Sequence, residues 1–205
     1  MRHVLVVMLA CATAHADPPE APDLATYQPT SVGIGVIVGG GVAGFTDHAL
    51  RAATSNVGGL WDLRATFGTH APLAVEAAYT GSATGVDSLL GTAHTTLIGT
   101  AFEADARLNL APHLDWDPYV FAGVGWQRFT IDDRELQFSD TGIRSRDDLL
   151  VMPFGGGLAF RRGGLVTDLR GTVRAASGSE MIVDRAGRYA PMHSWEASAA
   201  LGYEF

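Results

Sequence analysis

Apolar and polar side chains alternate along most of the chain. In the segment 195–205 every odd-numbered residue is apolar, and Glu196 and Glu204 lie between them. Alternation with a period of two predicts a strand with two different faces. Seven more segments are predicted as strands: Ser31–Phe45, Trp61–Phe67, Leu73–Thr80, Ile98–Leu110, Asp117–Ile131, Asp148–Arg161 and Leu165–Ala175. The pattern predicts an all-β protein of eight strands, with no segment of sustained helical periodicity after residue 16.

The links between these strands alternate in length. Gly, Pro and polar residues that favour turns fill the short links, which are Gly68–Pro72, Ala111–Trp116 and Arg161–Gly164. The long links are Thr46–Asn56, Gly81–His94, Asp132–Asp147 and Ser177–Met192. In an up-and-down arrangement all long links fall at one end, as in a membrane β-barrel with short turns on one side and long loops on the other. A bilayer leaves no unpaired strand edge, so such a sheet must close into an antiparallel barrel.

Aromatic residues concentrate near the predicted strand ends, as expected for the two interfacial girdles of a membrane barrel. The girdle at the long-loop end is predicted to contain Phe45, Trp61, Tyr79, Phe129 and Trp195. The girdle at the short-turn end is predicted to contain Phe67, Tyr119, Phe121, Phe160, Tyr203 and Phe205. Phe45 is out of phase with its strand, Trp126 falls on the inward face and Gln127 on the lipid face. A bulge at a nearby glycine would repair each misfit.

The first sixteen residues are predicted to be a cleavable signal peptide rather than part of the fold. Arg2 gives a positive start, and Val4–Cys11 is an apolar run too short to cross a bilayer as a helix. Ala14 and Ala16 form the small-x-small cleavage pattern, which makes Asp17 the first residue of the mature protein. The protein is therefore expected to be secreted.

Two further features belong to this N-terminal part. Cys11, which follows Leu9 and Ala10, is alternatively the lipid-modified residue of a lipoprotein, although Met8 stands where such signals usually carry Leu. Residues 17–30 contain four prolines and are predicted to form an extended periplasmic segment. The barrel is then expected to occupy residues 31–205.

Composition excludes several classes of function. The chain of 205 residues has 14 basic residues, all of them Arg, against 22 acidic ones, which gives a formal net charge of −8. Nucleic acid is not an expected partner, because phosphate binding needs a basic surface. A single Cys excludes an internal disulfide framework and any multi-cysteine metal site.

A glycine motif near the N-terminus raises two alternatives to a strand. Gly39, Gly41 and Gly44 satisfy the G-x-G-x-x-G dinucleotide pattern, but Thr46–Thr54 allows little more than two helical turns after it. A transmembrane helix is the second alternative, since Leu24–Thr46 carries no charge. Each glycine there costs a helix roughly 1 kcal/mol relative to Ala. The pattern favours a strand.

The terminal strand, the alternation and the unequal links together resemble the small outer-membrane β-barrels of Gram-negative bacteria. The resemblance is to the eight-stranded OmpA/OmpX-like and OmpW-like group, and it covers the chain from Ser31 onward as topology rather than as a sequence motif. It implies a location in the outer membrane, with long loops extracellular and both termini periplasmic. It also implies that Tyr203 and Phe205 are part of the signal read by the barrel-assembly machinery.

Ionisable residues gather on the predicted inward face. The predicted lumen charge network contains Asp62, Arg64, Glu76, Glu103, Asp105, Arg107, Arg128, Asp168, Arg170, Arg174 and Glu196, with Glu204 on the same face. An eight-stranded barrel is only just wide enough for its own side chains. A paired network that plugs the lumen is therefore predicted, and a narrow channel for small or apolar solutes is the alternative.

Candidate catalytic chemistry is limited to His193, Ser194 and Glu196 at the start of the last strand. Adjacent side chains on a strand point to opposite faces, which opposes a direct hydrogen bond between His193 and Ser194. The other histidines considered show no metal-ligand spacing. No catalytic residue, metal or cofactor is predicted, although a lipid-modifying enzyme is a further alternative. The expected protein is a monomeric outer-membrane barrel with a structural or surface-interaction role, in contact with outer-membrane lipid.

Overall fold

Alternation along the chain produces a closed antiparallel β-barrel. The computed structural model describes residues 32–55, 57–86, 95–132, 146–177 and 192–205. The strands are β1 (Ile34–Phe45), β2 (Gly58–Phe67), β3 (Leu73–Val86), β4 (Thr95–Asn109), β5 (Trp116–Asp132), β6 (Arg146–Arg162), β7 (Leu165–Ser177) and β8 (Ser194–Glu204). Each strand pairs with the next, and β1 pairs with β8 to close the barrel. The predicted all-β fold of eight antiparallel strands is confirmed.

Glycine forms the tightest of the short turns. The β6–β7 ladder ends at the pair Arg162 and Leu165, so only Gly163 and Gly164 connect the two strands. Both glycines have positive φ angles, 60° and 85°. A two-residue hairpin loop of type I′ needs positive φ at both positions, which glycine adopts without steric cost.

The long-loop end differs from the sequence prediction in two ways. The ladder between β3 and β4 continues to the pair Val86 and Thr95, so β3 extends well into the predicted link Gly81–His94. Backbone pairing therefore extends beyond the alternating apolar residues. The first long link contains a short helix, α1 (His48–Ala53). The Leu50 amide donates to Asp47 Oδ1 at 3.3 Å, which is an N-terminal cap of this helix.

The two faces of the barrel wall have opposite chemistry. Large apolar side chains cover the outer face: Ile34, Val36, Val38, Val42, Trp61, Leu63, Phe67, Leu73, Val75, Ile98, Phe102, Leu108, Val120, Val124, Trp126, Leu150, Met152, Phe154, Leu165, Leu169, Val173, Leu201 and Tyr203. An apolar surface that surrounds a protein needs an apolar medium around it. Among the described residues, no helix has the length and hydropathy to cross a membrane.

Outer-face aromatic residues lie near both ends of the barrel. Towards the long loops, Trp61, Tyr79, Phe102 and Trp126 contact one another across four neighbouring strands, with ring centroids 4.4–6.2 Å apart. Towards the short turns, the rings of Trp116 and Phe160 and those of Tyr203 and Phe205 are also in contact.

Four residues that were predicted for the girdles are not part of them. Phe45, Tyr119, Phe121 and Phe129 are buried inside the barrel, each at most 5 % exposed. Phe45 therefore follows the inward positions of β1 and needs no bulge. The girdle prediction is wrong for these four residues, because the lumen also contains aromatic rings.

Strand β5 has the opposite phase from the one predicted. Trp126 is exposed on the outer face, and Gln127 is buried in the lumen. The predicted orientation of both residues is wrong, and it followed from treating Tyr119 and Phe121 as lipid-facing. The ladder between β5 and β6 skips Gly123, opposite Pro153, and Val124, opposite Met152. Proline has no amide hydrogen to donate to this ladder.

Several predictions concern residues outside the described part of the chain. They are the signal peptide 1–16 with its cleavage residues Ala14 and Ala16, the alternative lipidation of Cys11, and the extended segment 17–30. They stay predictions.

The charged lumen as candidate functional site

The lumen contains ten of the eleven residues of the predicted charge network. Each of these ten is at most 8 % exposed: Asp62, Arg64, Glu76, Glu103, Asp105, Arg107, Asp168, Arg170, Arg174 and Glu196. They come from β2, β3, β4, β7 and β8, whose alternation directs them inward. Ionised groups at this depth must be paired to avoid a large desolvation cost.

Arg128 is the exception, and its predicted position in the lumen is wrong. Its side chain is 38 % exposed and pairs on the outside with Asp148, Nε to Oδ1 at 2.8 Å. Its guanidinium also lies 4.8 Å from the ring centroid of Trp126. The reversed phase of β5 explains the difference, because it turns Arg128 outward and Gln127 inward.

Glu76 is the centre of the first group of lumen charges. It forms an ion pair with Arg170 and another with Arg107, and it accepts a hydrogen bond from Thr66 Oγ1 at 2.9 Å. Arg170 also contacts Asp105, Nη2 to Oδ2 at 2.9 Å. A guanidinium has donors on three nitrogens, so one Arg can bridge two carboxylates.

Aromatic rings support these guanidinium groups. The guanidinium carbon of Arg107 lies 3.4 Å from the ring centroid of Tyr119, and that of Arg170 lies 3.4 Å from that of Phe121. Contact of a guanidinium with a ring face is favourable, more so where water is excluded. The two inward aromatic residues of β5 therefore contribute to the charge network as stacking partners.

A second group surrounds Arg64. Its Nη1 lies 2.8 Å from Asp168 Oδ1, and its Nε lies 3.3 Å from Asp62 Oδ1. The Tyr119 hydroxyl donates to Asp168 Oδ1 at 2.9 Å. Tyr119 thus joins the two groups, since its ring contacts Arg107 and its hydroxyl contacts Asp168.

Glycine provides the space for this tyrosine. A β-carbon at Gly157, which pairs with Tyr119 on the neighbouring strand β6, would overlap the Tyr119 ring and hydroxyl. Gly157 is therefore needed for the close approach of the ring to the wall.

The third group lies nearer the long loops and contains one Arg between two acids. Arg174 pairs with Glu103 and with Glu196. Its Nη2 also lies 3.1 Å from Glu103 Oε2 and 3.4 Å from Thr80 Oγ1. This group crosses the lumen from β4 to β8.

A fourth group closes the short-turn end, and three of its residues were not predicted. Arg161 contacts Asp117, Nη1 to Oδ2 at 3.0 Å, and Glu204, Nε to Oε2 at 3.2 Å. Glu204 also pairs with His70 of the turn between β2 and β3. Correct phasing of β5 would have placed Asp117 inside, on the same face as Tyr119 and Phe121. Arg161 and His70 lie at a strand end and in a turn, where alternation gives no orientation.

Apolar side chains close the other end of the lumen. This apolar cap consists of Phe45, Leu50, Leu97, Phe129, Leu149, Val151 and Met192. Leu50 comes from α1 and Met192 from the segment before β8, and both are fully buried. The described lumen is thus filled by charged groups over most of its length and sealed by apolar residues towards the long loops.

The candidate catalytic residues do not form a catalytic arrangement in the structure. His193 Nδ1 accepts a hydrogen bond from the Ala176 amide at 3.0 Å, whereas Ser194 is buried inside the barrel. Glu196 pairs with Arg174. Within the described ranges no three His, Cys, Asp or Glu side chains are grouped to hold a metal ion.

The predicted assembly signal lies at the end of β8. Tyr203 and Phe205 are both exposed on the outer face, and their rings are 5.1 Å apart. Whether the assembly machinery reads them stays a prediction.

These features define an eight-stranded barrel with an apolar outer face, aromatic belts and a charged, filled interior. The same fold occurs in Ail, the attachment invasion locus protein of Yersinia pestis, at a TM-score of 0.55 and 10 % identity over 85 % of this chain and 99 % of that one. Neisserial surface protein A is similar at a TM-score of 0.55 and 14 % identity, over 85 % of this chain and 98 % of that one. OprG, an outer membrane protein of Pseudomonas aeruginosa, is similar at a TM-score of 0.54 and 15 % identity, over 85 % of this chain and 97 % of that one.

No protein-family model and no curated protein matches the chain. The similarity to solved structures therefore concerns the fold, which is that of the small outer-membrane barrels.

Proposed function

We propose that the protein is an outer-membrane β-barrel of a Gram-negative bacterium, with a structural or surface-interaction role and a closed lumen. One observation carries the proposal: an apolar outer wall surrounds an interior filled with paired charges. The outer wall suits a bilayer, and the filled interior leaves the loops as the part available to partners. The long loops are extracellular and both termini are periplasmic in this proposal.

Names of the similar proteins support a role at the cell surface. Ail is named for attachment and invasion, and Neisserial surface protein A for its position. Outer-membrane lipid is then the partner of the wall, and the barrel-assembly machinery is a partner during biogenesis. A monomeric barrel is part of the proposal, and the pairing of β1 with β8 supports it because it leaves no strand edge for a second copy.

Purified protein in planar lipid bilayers is expected to show no conductance steps. The pairs around Arg174 and Glu76 fill the lumen, and the apolar cap covers them, so no continuous water path is left for ions. Single-channel recording checks this, with folding of the same sample verified by its gel mobility before and after boiling. Reproducible steps would favour the alternative function, a narrow channel.

A cysteine in a long loop is expected to react with a membrane-impermeant maleimide on intact cells. The substitution Ser139→Cys places the cysteine in the predicted extracellular link between β5 and β6. The matched control is Leu114→Cys, because Leu114 belongs to a short link. Both are made with Cys11→Ser, so that the new thiol is the only one in the chain. Ser139→Cys should be labelled directly, and Leu114→Cys only after the outer membrane is permeabilised. The reverse pattern would contradict the proposed orientation.

A further inference from the structure

A small cavity lies in the lumen between the Arg174 group and the apolar cap. Its volume is about 10 Å³, and five of its lining residues carry a side-chain oxygen: Ser82, Thr84, Gln127, Ser194 and Glu196. A space of this size holds one particle as large as a water molecule. Phe45 and Phe129 of the apolar cap line its other side. The cavity is therefore a small polar compartment beneath an apolar cover.

Two of the oxygens that line this cavity have no partner among the described residues. They are Oε1 of Gln127 and Oγ of Ser194. Gln127 is 3 % exposed and Ser194 is 6 % exposed, so both are withdrawn from bulk water. Nearly all buried polar side chains in proteins are satisfied by a partner. Two unpartnered oxygens that line one cavity therefore indicate an occupant that binds oxygen atoms.

Charge at the cavity is also unbalanced. The guanidinium of Arg174 faces two carboxylates, those of Glu103 and Glu196. In the group around Glu76, Arg170 and Arg107 are already paired with Glu76 and Asp105. The Arg174 group therefore keeps one excess negative charge beside the cavity. Isolated charge in a low-dielectric interior is costly and favours a compensating cation.

We propose that this cavity is a binding site for one monovalent metal cation, for which Na⁺ is the probe. Hard cations take oxygen ligands, and the cavity supplies an amide oxygen, hydroxyl oxygens and the carboxylate of Glu196. A single positive charge matches the single excess negative charge, whereas a divalent ion would leave the group positive. An anion is excluded by that charge, and a water molecule would satisfy Gln127 and Ser194 but leave the charge uncompensated.

The cation contributes to the stability of the folded barrel. A ligand that binds only the folded state raises the folded-to-unfolded ratio in proportion to its concentration once it exceeds the dissociation constant. One bound Na⁺ therefore gives about a tenfold rise in this ratio for each tenfold rise in Na⁺. Choline cannot replace it, because a quaternary ammonium ion is much larger than the cavity.

Urea unfolding of the full chain in lipid bilayers tests the proposal, with NaCl replaced by choline chloride at constant ionic strength. The folded fraction is read from gel mobility without boiling. In the unaltered protein the folded-to-unfolded ratio should rise about tenfold for each tenfold rise in Na⁺. The variants Ser194→Ala and Gln127→Met should lose this dependence. Ser198→Ala, on the same strand and the same face but outside the cavity, should keep it.

Two results would overturn the proposal. Equal stability in NaCl and choline chloride would show that the cavity holds only water. A Na⁺ dependence that survives in Ser194→Ala would place the cation elsewhere, for example among the acidic loops. If Gln127→Met does not fold, Ser194→Ala decides, because it removes a single oxygen from the site. Neither result bears on the proposed role of the barrel at the cell surface.

Discussion

Replacing Arg170 with Met is expected to lower the free energy of unfolding by about 3–5 kcal/mol, the range for removing one partner of a buried ion pair. Arg170 is shared by Glu76 and Asp105, and both acids are at most 2 % exposed. The variant leaves their negative charges in the lumen with one guanidinium fewer. Urea titration of the folded fraction in lipid bilayers, followed by gel mobility, measures the change.

Two companion variants separate this effect from a general loss of arginine. Arg128→Met removes a solvent-exposed partner of Asp148 on the outer wall, and we expect no measurable change in the free energy of unfolding. Adding Asp105→Asn to Arg170→Met should recover part of the loss, since Arg170 is the ion-pair partner of Asp105 among the described residues and the amide removes the charge left without it. If Arg170→Met is no more destabilising than Arg128→Met, the network does not stabilise the barrel.

An arginine placed on the outer wall is expected to have a cost that depends on its depth. Ala104 lies near the middle of β4 on the outer face, and Leu110 directly follows that strand at the short-turn end. Ala104→Arg should lower the free energy of unfolding by about 2–4 kcal/mol, and Leu110→Arg by about 0–1 kcal/mol, as found for lipid-facing positions at the midplane and near the interface.

The same titration in lipid bilayers measures both variants, and lumen integrity can be checked by unchanged gel mobility of the folded form. Equal costs at Ala104 and Leu110 would mean that the outer face does not contact a bilayer core. This result would count against the membrane location, even though the barrel fold would stand.

Alternation was enough to predict the barrel and most of its lumen. Residues such as Glu76 and Arg170 lie on strands where apolar and charged positions separate cleanly, so their orientation follows from period two. The closing pair β1–β8 followed from the need to leave no edge in a membrane. The orientation of these residues depends on the backbone period, and the closure depends on the membrane.

Strand β5 could not be oriented in this way. Its inward face carries Tyr119 and Phe121, and its outer face carries Trp126, so aromatic residues lie on both sides of the wall. Inside, the rings stack on guanidinium groups, and outside they lie among apolar neighbours. Hydrophobicity does not separate these two environments. As a consequence, Arg128 of this strand was assigned to the wrong side and Asp117 was missed.

The apolar cap was also beyond the reach of the sequence. Its residues Leu50 and Met192 come from links in which no periodic pattern defines an orientation. Their burial depends on the position of α1 over the mouth of the barrel, which is a tertiary contact. Leu149 and Val151 point inward, and Leu150 and Met152 point outward. Because all four are apolar, the sequence pattern does not show which pair is inside.

Long sequence separations in the lumen affect how the barrel forms and comes apart. Arg170 and Glu76 are 94 residues apart, and Arg174 and Thr80 are separated by the same distance along the chain. Contacts of this kind carry a large loop-closure cost and form late, after the intervening strands are aligned. A partly built barrel without β7 would therefore have neither contact, and losing β7 would also remove the ion pairs of Arg170 and Arg174 with Asp105, Glu103 and Glu196. We therefore expect the lumen contacts to make unfolding more cooperative.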